Sequence, residues 1–568
     1  MLKNYIKIAF RNIWRNKVYS LINILGLTLG ITCSSLLFML VIDELSFDSM
    51  HEKKDRIYRV VEIDDSKEKT RYYGITAPPV GPALADDYPE IEDFTRVFQF
   101  GGHFNFEKGD EKFHERAYYM ADSNFFDVFD AEWVEGNPAT ALNEPYSMVI
   151  DRGWAQTLFG TTENVVGKTL KGGDLVYKIT GVVEPLPQNT HLQYKVLVSL
   201  PTTEPWYNNY INNWQAYGAG TYLLLEENAQ IKSLSDKIPS FIAKYFQPEQ
   251  QRNFYLQSMN DIHFYSQGIE YATDEESRGQ LAYIYIFIAI GAFMLLIACI
   301  NYMNLATAKS LQRAKEIGVR KVSGAVRGQL ILQFLSESVL IALVSLVLSI
   351  GLVDLVLPHF NELTNKRFIF NMETFGGIFF LLFIITLLVG LLSGTYPALF
   401  MSGLKPSNIL KGSMNTRKGG VLLRKVLVIT QFTLSIVMII ATIVAMKQLN
   451  FIQNKSLGFE KDQVMVVDIN SGNVRNRFEA MKEQFASSPY IKEVAVSSRV
   501  PGEWKTIREI YVSPTDNPDS VRTSFMGFDH EMVDLYGMQI VAGSNFSGNP
   551  NVDSLHVLVN ESAVEALG

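Results

Sequence analysis

Cysteine is almost missing from this chain: two in 568 residues, Cys33 and Cys299, each inside an uncharged apolar run. That excludes a disulfide framework and a thiolate metal site. Cys33 also lacks the preceding small residue that a lipid-attachment box requires. The eight histidines are scattered, and neither H-E-x-x-H nor G-x-S-x-G occurs, which removes zincin and serine-hydrolase chemistry. Asp64-Asp65 and Asp86-Asp87 lack the alternating ligands and central glycine of a calcium loop. No phosphate loop is present either. The nearest stretch, Gly160 to Thr169, places six residues between its glycines instead of four, and reads as a turn before a strand at Thr169–Leu170. Charge is nearly missing from the long apolar runs, which argues against a proton- or ion-coupled carrier. Glu337 and Asp354 lie near the ends of such runs, within reach of water.

The apolar residues are concentrated in a few long runs, the signature of membrane spans rather than of one soluble core. Val18 to Ile42 is 25 residues without a charge, too long for a signal-peptide core and without a cleavage site, so it reads as a retained span. Further spans are expected at 281–305, 334–357, 375–400 and 426–446. Gly26, Gly30 and Ser34 form a small-residue stripe suited to close helix approach. Gly390, Ser393, Gly394 and Pro397 cluster in the fourth span, where a kinked or unwound helix is expected.

The net charge of −8 is unevenly spread. Residues 1–17 carry five Lys/Arg and no acid, 306–329 carry six against Glu316 alone, and 401–425 carry six and no acid. Residues 43–280 carry 38 acids against 21 bases, and 447–568 carry 16 against 11. The positive-inside rule places the basic segments in the cytoplasm and the acidic ones outside. Within 1–17, lysine and arginine recur every four residues opposite an apolar face, which predicts an amphipathic helix lying on membrane lipids. None of the basic segments has the interleaved aromatics of a nucleic-acid groove, so no nucleic-acid partner is expected.

Residues 43–280 are too long and too acidic for a loop. Strand-like runs at Arg56–Ile63, Ser147–Asp151, Val176–Val183, Val196–Leu200 and Thr221–Leu225 among helical segments predict an α+β ectodomain. Residues 447–568 repeat parts of it. Pro89 to Phe94 is matched by Pro489 to Val494, and Phe126 to Gly136 by Val533 to Gly543. Val149-Ile150-Asp151 before Gly160 is matched by Leu558-Val559-Asn560 before Gly568. The order predicts a duplication. The fold class is then an α-helical polytopic membrane protein with α+β extracytoplasmic domains. Its span–ectodomain–three-span unit is duplicated, with the second copy incomplete at Gly568, as in a piece of an eight-span protein.

The stretch between the second and third spans is R-A-K-E-I-G-V-R-K-V-S-G-A over 313–325, followed by Phe334-Leu-Ser-Glu-Ser338. With Ser393-Gly-Thr-Tyr-Pro-Ala398 and Lys178-Ile-Thr-Gly181-Val-Val before Pro185, Pro187 and His191, it resembles the FtsX-like/MacB-type ABC transporter permeases. The resemblance covers essentially the whole chain. It is to the double-length form without a fused ATPase and with a MacB-type periplasmic core domain.

The resemblance implies these domains: an interfacial helix (1–17), a first span (18–42), a periplasmic core domain (43–280) and an FtsX-like domain (281–400) with its coupling loop (306–329). A basic linker (401–425), a fifth span (426–446) and a second periplasmic domain (447–568) follow. It assigns Arg313, Lys315, Glu316, Ile317, Gly318, Arg320, Lys321 and Gly324 to ATPase coupling. Ile317 and Val319 would offer apolar contact inside a charged rim. Arg313, Arg320 and Arg327 would share a face if helical, and Gly318 and Gly324 would let the backbone turn. No catalytic residue, metal or cofactor is expected in this chain; ATP and Mg would be bound by a cytoplasmic ABC ATPase dimer. The protein would lie in the inner membrane with its N-terminus cytoplasmic, expelling peptides or antibiotics or handling lipophilic cargo, with a periplasmic adaptor and outer-membrane channel as further partners. An alternative is a regulatory protein that transmits force to a cell-wall hydrolase. A membrane-anchored ectoenzyme is disfavoured by the missing catalytic constellations.

Overall fold

The computed structural model describes all residues except 1–10, 13, 66–69, 100–103, 174, 201–204, 248–251, 274–276, 313, 370–371, 404–417, 456, 461, 470–471, 502–507, 514–520 and 568. Most of the expected interfacial helix and basic linker therefore lies outside the described residues. Among the described residues, five helices are long and apolar enough to cross a membrane. Contact divides the chain into two units: one runs to Gln99 and resumes over Asn105–Thr442, and the other holds Phe100–Phe104 and Ile443–Gly568.

In the first unit, the spanning helix α1 (Lys17–Leu45) leads into a fourteen-stranded mixed sheet. Its strand β1 (Ile57–Asp64) pairs antiparallel with β2 (Arg71–Tyr73), with β7 (Ala219–Leu225) and with β8 (Arg252–Ser258). Strand β3 (Ile91–Phe98) joins the other side of β7, while β4 (Ser147–Asp151) runs parallel to β5 (Leu175–Val183) and antiparallel to β6 (Val196–Ser199). Strands β4, β6 and β7 are buried at every position, so they read as continuous apolar runs rather than as alternation. The short helix α2 (Phe125–Val128) brings Phe125 and Phe129 under the sheet against Tyr222 and Leu197. Helix α3 (Arg152–Phe159) starts on Asp151, whose Oδ1 accepts the Trp154 N–H at 2.6 Å, and ends at left-handed Gly160. The stretch around Gly160 is thus a helix end, with a second left-handed turn at Gly167 before the strand at Thr169.

Helix α4 (Met259–Tyr265) precedes the remaining long helices: α5 (Leu281–Gln312), α7 (Arg327–Thr364), α8 (Met372–Ser402) and α9 (Lys418–Asn454), with the short α6 (Ala314–Val322) between α5 and α7. Helices α1, α7 and α9 overrun the expected spans at both ends and α5 at its C-terminal end, because a charged side chain ends an apolar run without ending the helix. The coupling loop expected at 306–329 is correspondingly shorter: residues to 312 still belong to α5 and α7 begins at 327.

Small and hydroxyl side chains seat the bundle. A Cβ on Gly30 would stand 2.7 Å from Ala298 Cβ, and Ser34 Oγ donates to the Gly291 carbonyl at 2.9 Å, so the small-residue stripe of α1 meets α5. Thr32 Oγ1 lies 2.9 Å from Ser349 Oγ and joins α1 to α7. The unwinding expected near Gly390, Ser393, Gly394 and Pro397 is not found. Helix α8 is continuous there, and the glycines serve close packing instead: a Cβ on Gly394 would lie 2.6 Å from Ser338 Oγ, and one on Gly390 3.0 Å from Val339 Cα.

In the second unit, two short strands (Arg508–Val512 and Val521–Phe525) pair antiparallel, and helices α10 (Glu531–Leu535) and α11 (Glu561–Leu567) follow. Local geometry recurs between the units. Arg96 N–H donates to Asp122 Oδ2 at 2.8 Å and Asp122 N–H to the Arg96 carbonyl at 3.3 Å; Val496 and Asp529 make the same two bonds at 2.8 and 3.0 Å. Asn560 Oδ1 accepts the Ala563 N–H at 2.9 Å to open α11, as Asp151 opens α3. Gly136 and Gly543 both have left-handed backbone.

Candidate functional site

The element that sequence analysis singled out forms at the end of the bundle remote from the sheet. Helix α6 is one short amphipathic run, and its inward residue is Ile317, only 4% exposed, packed with Leu330, Phe334, Phe400 and Met401. This corrects the expectation that Ile317 offers apolar contact outward. Val319 stands 56% exposed two residues on, with Val322 and Val326 also exposed. Gly318 is buried inside the helix and makes no turn. Gly324 does: its φ of +95° and open surroundings end α6 in the left-handed region that side chains avoid. Because the turn at 323–326 interrupts the helix, Arg320 and Arg327 do not share a helical face; Arg313 lies outside the described residues.

The basic side chains bind α6 to its neighbours. Arg320 Nη1 donates to Gln333 Oε1 on α7 at 2.9 Å, and its Nη2 to Glu316 Oε1 at 2.6 Å, one turn back. Lys321 Nζ donates at 2.6 Å to the carbonyl of Ser402, the last residue of α8, where unsatisfied carbonyls concentrate negative charge. Burial and the nearby Arg327 pull the Lys321 ammonium below its ordinary pKa. Arg327 Nε adds a longer bond to Ser402 Oγ at 3.4 Å. Lys315 sits on the first turn of α6. The arrangement is a helix braced on the ends of α7 and α8 with apolar Val319, Val322 and Val326 exposed. Gln333, Leu330, Met401 and Ser402 escaped sequence reasoning, since nothing in their composition distinguishes them from other helix-end residues.

The motif around Gly181 and His191 also acquires a physical basis. Gly181 lies under Trp133, where a Cβ would come within 2.4 Å of the ring. His191 is buried with Nδ1 2.9 Å from Asp48 Oδ1, while its Nε2 lies 3.1 Å from Tyr222 OH. Burial opposes ionisation of Asp48, but the charge and hydrogen bonds of His191 outweigh it and hold the carboxyl at about 2. Asp48 follows α1 by three residues, so this cluster clamps the span to the sheet.

Two family models match. That of the MacB-like periplasmic core domain covers residues 20–241, and that of the FtsX-like permease C-terminal domain covers residues 288–406. An ABC transporter permease of Methanocaldococcus jannaschii is 23% identical over 430 residues, 72% of this chain and 97% of that protein. The macrolide export ATP-binding/permease protein MacB of Pasteurella multocida is 26% identical over 260 residues, 45% of this chain and 36% of its own length. The chain thus spans about a third of that relative. The crystal structure of the periplasmic region of MacB from Actinobacillus actinomycetemcomitans matches 36% of this chain and 90% of its own at 16% identity, with a TM-score of 0.26.

Proposed function

We propose, from the premise that this chain is a permease of the FtsX/MacB type, that it is the transmembrane subunit of an ABC complex whose separate ATPase drives its periplasmic domains. The ATPase dimer binds ATP and Mg in the cytoplasm and docks on α6. The single observation that carries this reading is the construction of α6: its basic residues are bonded to α7 and α8, and the apolar strip Val319–Val322–Val326 is left facing out. A push on that strip therefore moves two spans rather than a loose loop. Apolar contact within a charged rim is the composition that protein docking sites use.

The positive charge at this end of the bundle supports a cytoplasmic α6, an inner-membrane location and a cytoplasmic N-terminus. The name of the Pasteurella relative, a macrolide exporter with its own ATP-binding part, supports an efflux role; peptides, antibiotics or lipophilic molecules as cargo, and an adaptor and outer-membrane channel as further partners, complete the proposal. The recurring bonds of Asp122 and Asp529 support reading residues 447–568 as a repeat of parts of the α/β domain.

The test is reconstitution of the full chain with a candidate partner ABC ATPase from the same cell. Val319→Glu with Val322→Glu is expected to remove the chain's stimulation of that ATPase while membrane insertion and Tm stay unchanged. Undiminished stimulation by this variant rejects the docking role. Labelling of a cysteine at Val322 from outside sealed cells rejects the orientation.

A further inference from the structure

The α/β domain is joined to the bundle by chain at two places, after α1 and before α5. A third, non-covalent attachment is present. Helix α7 ends at left-handed Asn365, and the residues after it fold back, with Asn361 Nδ2 donating to the Phe368 carbonyl at 2.9 Å and Phe368 N–H returning to Asn361 Oδ1 at 3.1 Å. That fixes Lys366 in place. Its Nζ donates to Asp43 Oδ2 at 2.7 Å and to Glu44 Oε1 at 2.9 Å, both on the last turn of α1. The other oxygen of Glu44 lies 2.8 Å from Nε2 of His263, a buried residue of α4 in the α/β domain. The His263 ring stacks on Phe47 with centroids 3.7 Å apart, and its carbonyl accepts the Gly279 N–H at 2.8 Å, two residues before α5 begins. Gly279 passes so close that a Cβ there would stand 2.3 Å from His263 Nε2.

One helix runs between the two ends of this arrangement. Helix α7 has 38 residues, about 57 Å at ~1.5 Å per residue. It receives Arg320 of α6 at Gln333 and is followed directly by Lys366. We infer that Lys366 and His263 are the positioning residues through which displacement of α6, carried along α7, reaches the α/β domain: α6 to Gln333, α7 to Lys366, Lys366 to Glu44, Glu44 to His263. Along its length α7 already packs on α1, as at Thr32 and Ser349; Lys366 carries that contact to the last turn of α1, where Glu44 meets His263 of the domain. Lys366 and the His263 imidazole share the Glu44 carboxylate of α1, and the chain entering α5 bonds the His263 carbonyl. The direction of the signal rests on the reading of α6 as the ATPase-receiving element; the mechanical link does not.

The test is a double-substitution cycle read by amide hydrogen exchange on the full chain in nanodiscs, with no ATPase present. Arg320→Ala releases α6 from Gln333 at one end of the bundle; at the other, exchange of the amides of 259–265 and 46–51 is expected to quicken by about fivefold to tenfold. In a Lys366→Met background the same Arg320→Ala change is expected to add less than about twofold, and in a Lys366→Arg background to act nearly as in the parent. Gly279→Ala, which displaces the imidazole without altering any charge, is expected to block propagation as Lys366→Met does, and serves if Lys366→Met fails to fold. Neck exchange that ignores Arg320→Ala, or responds to it by the same factor with and without Lys366, overturns the inference. Since no ATPase takes part, loss of this link and loss of docking are seen separately.

Discussion

His191 grips Asp48 twice: its main-chain N–H and its Nδ1 each lie 2.9 Å from the same carboxylate oxygen, Oδ1, with both side chains buried. Thr190 Oγ1 adds a third bond to that oxygen at 2.6 Å, and Asn189 bonds Ser46. The segment from the first span to β1 is therefore a bonded strap rather than a linker. His51 continues it, with Nδ1 accepting the Asp130 N–H at 3.0 Å.

We predict that acidification loosens this strap. Burial lowers the His51 pKa to about 4, although Asp48 nearby works the other way. A histidine with an ordinary pKa near ~6.5 when unfolded binds its proton more readily in the unfolded chain, so stability is lost as pH falls from about 6.5 to about 4. The slope approaches ~1.4 kcal/mol per unit, on the order of 3 kcal/mol in all. Melting of the full chain across this range is expected to steepen less in His51→Asn. An unchanged pH profile in that variant sinks the assignment.

The two faces of α6 separate folding from docking. Ile317→Ala empties a site in a buried cluster and should cost about 2–4 kcal/mol, visible as a lower Tm. Val319→Ala should leave Tm within about 1 °C and weaken ATPase capture instead. Equal thermal losses from both would show that α6 is buried on both sides.

Glycine is required in α8 for space rather than flexibility. Gly394→Ala forces a methyl to within 2.6 Å of Ser338 Oγ, and we expect a loss of about 1–3 kcal/mol. Gly351→Ala, with nothing within 4 Å of its Cβ position, is the control and should not destabilise. Matching melting curves for the two variants would remove the packing argument.

Gly181→Ala should drive Trp133 from its seat. Its emission is then expected to shift to the red with a stability loss of about 1–3 kcal/mol, measured by fluorescence in a background where Trp133 is the reporter. A blue-shifted or unmoved spectrum would contradict the close contact.

The strands at Ser147–Asp151 and Thr221–Leu225 were legible because each is a short run of β-branched and apolar residues. The packing role of Gly390 and Gly394 was not, since composition cannot tell a glycine that unwinds a helix from one that lets Ser338 approach. Ile317 was misread for a related reason: its position between Glu316 and Arg320 looks solvated until Met401, 84 residues on, is brought against it.

By itself the sequence determined where the chain can lie in lipid, because excluding charge over twenty or more residues is a local property that hydrocarbon enforces. It also carried the motifs of the permease family. Only the tertiary structure decided which face of α6 is inward, that α8 stays helical through Pro397, and that Lys366 meets Glu44 across 322 positions of sequence. Those outcomes depend on which helices pack together, and a pairing energy between distant residues leaves no trace in the composition around either one.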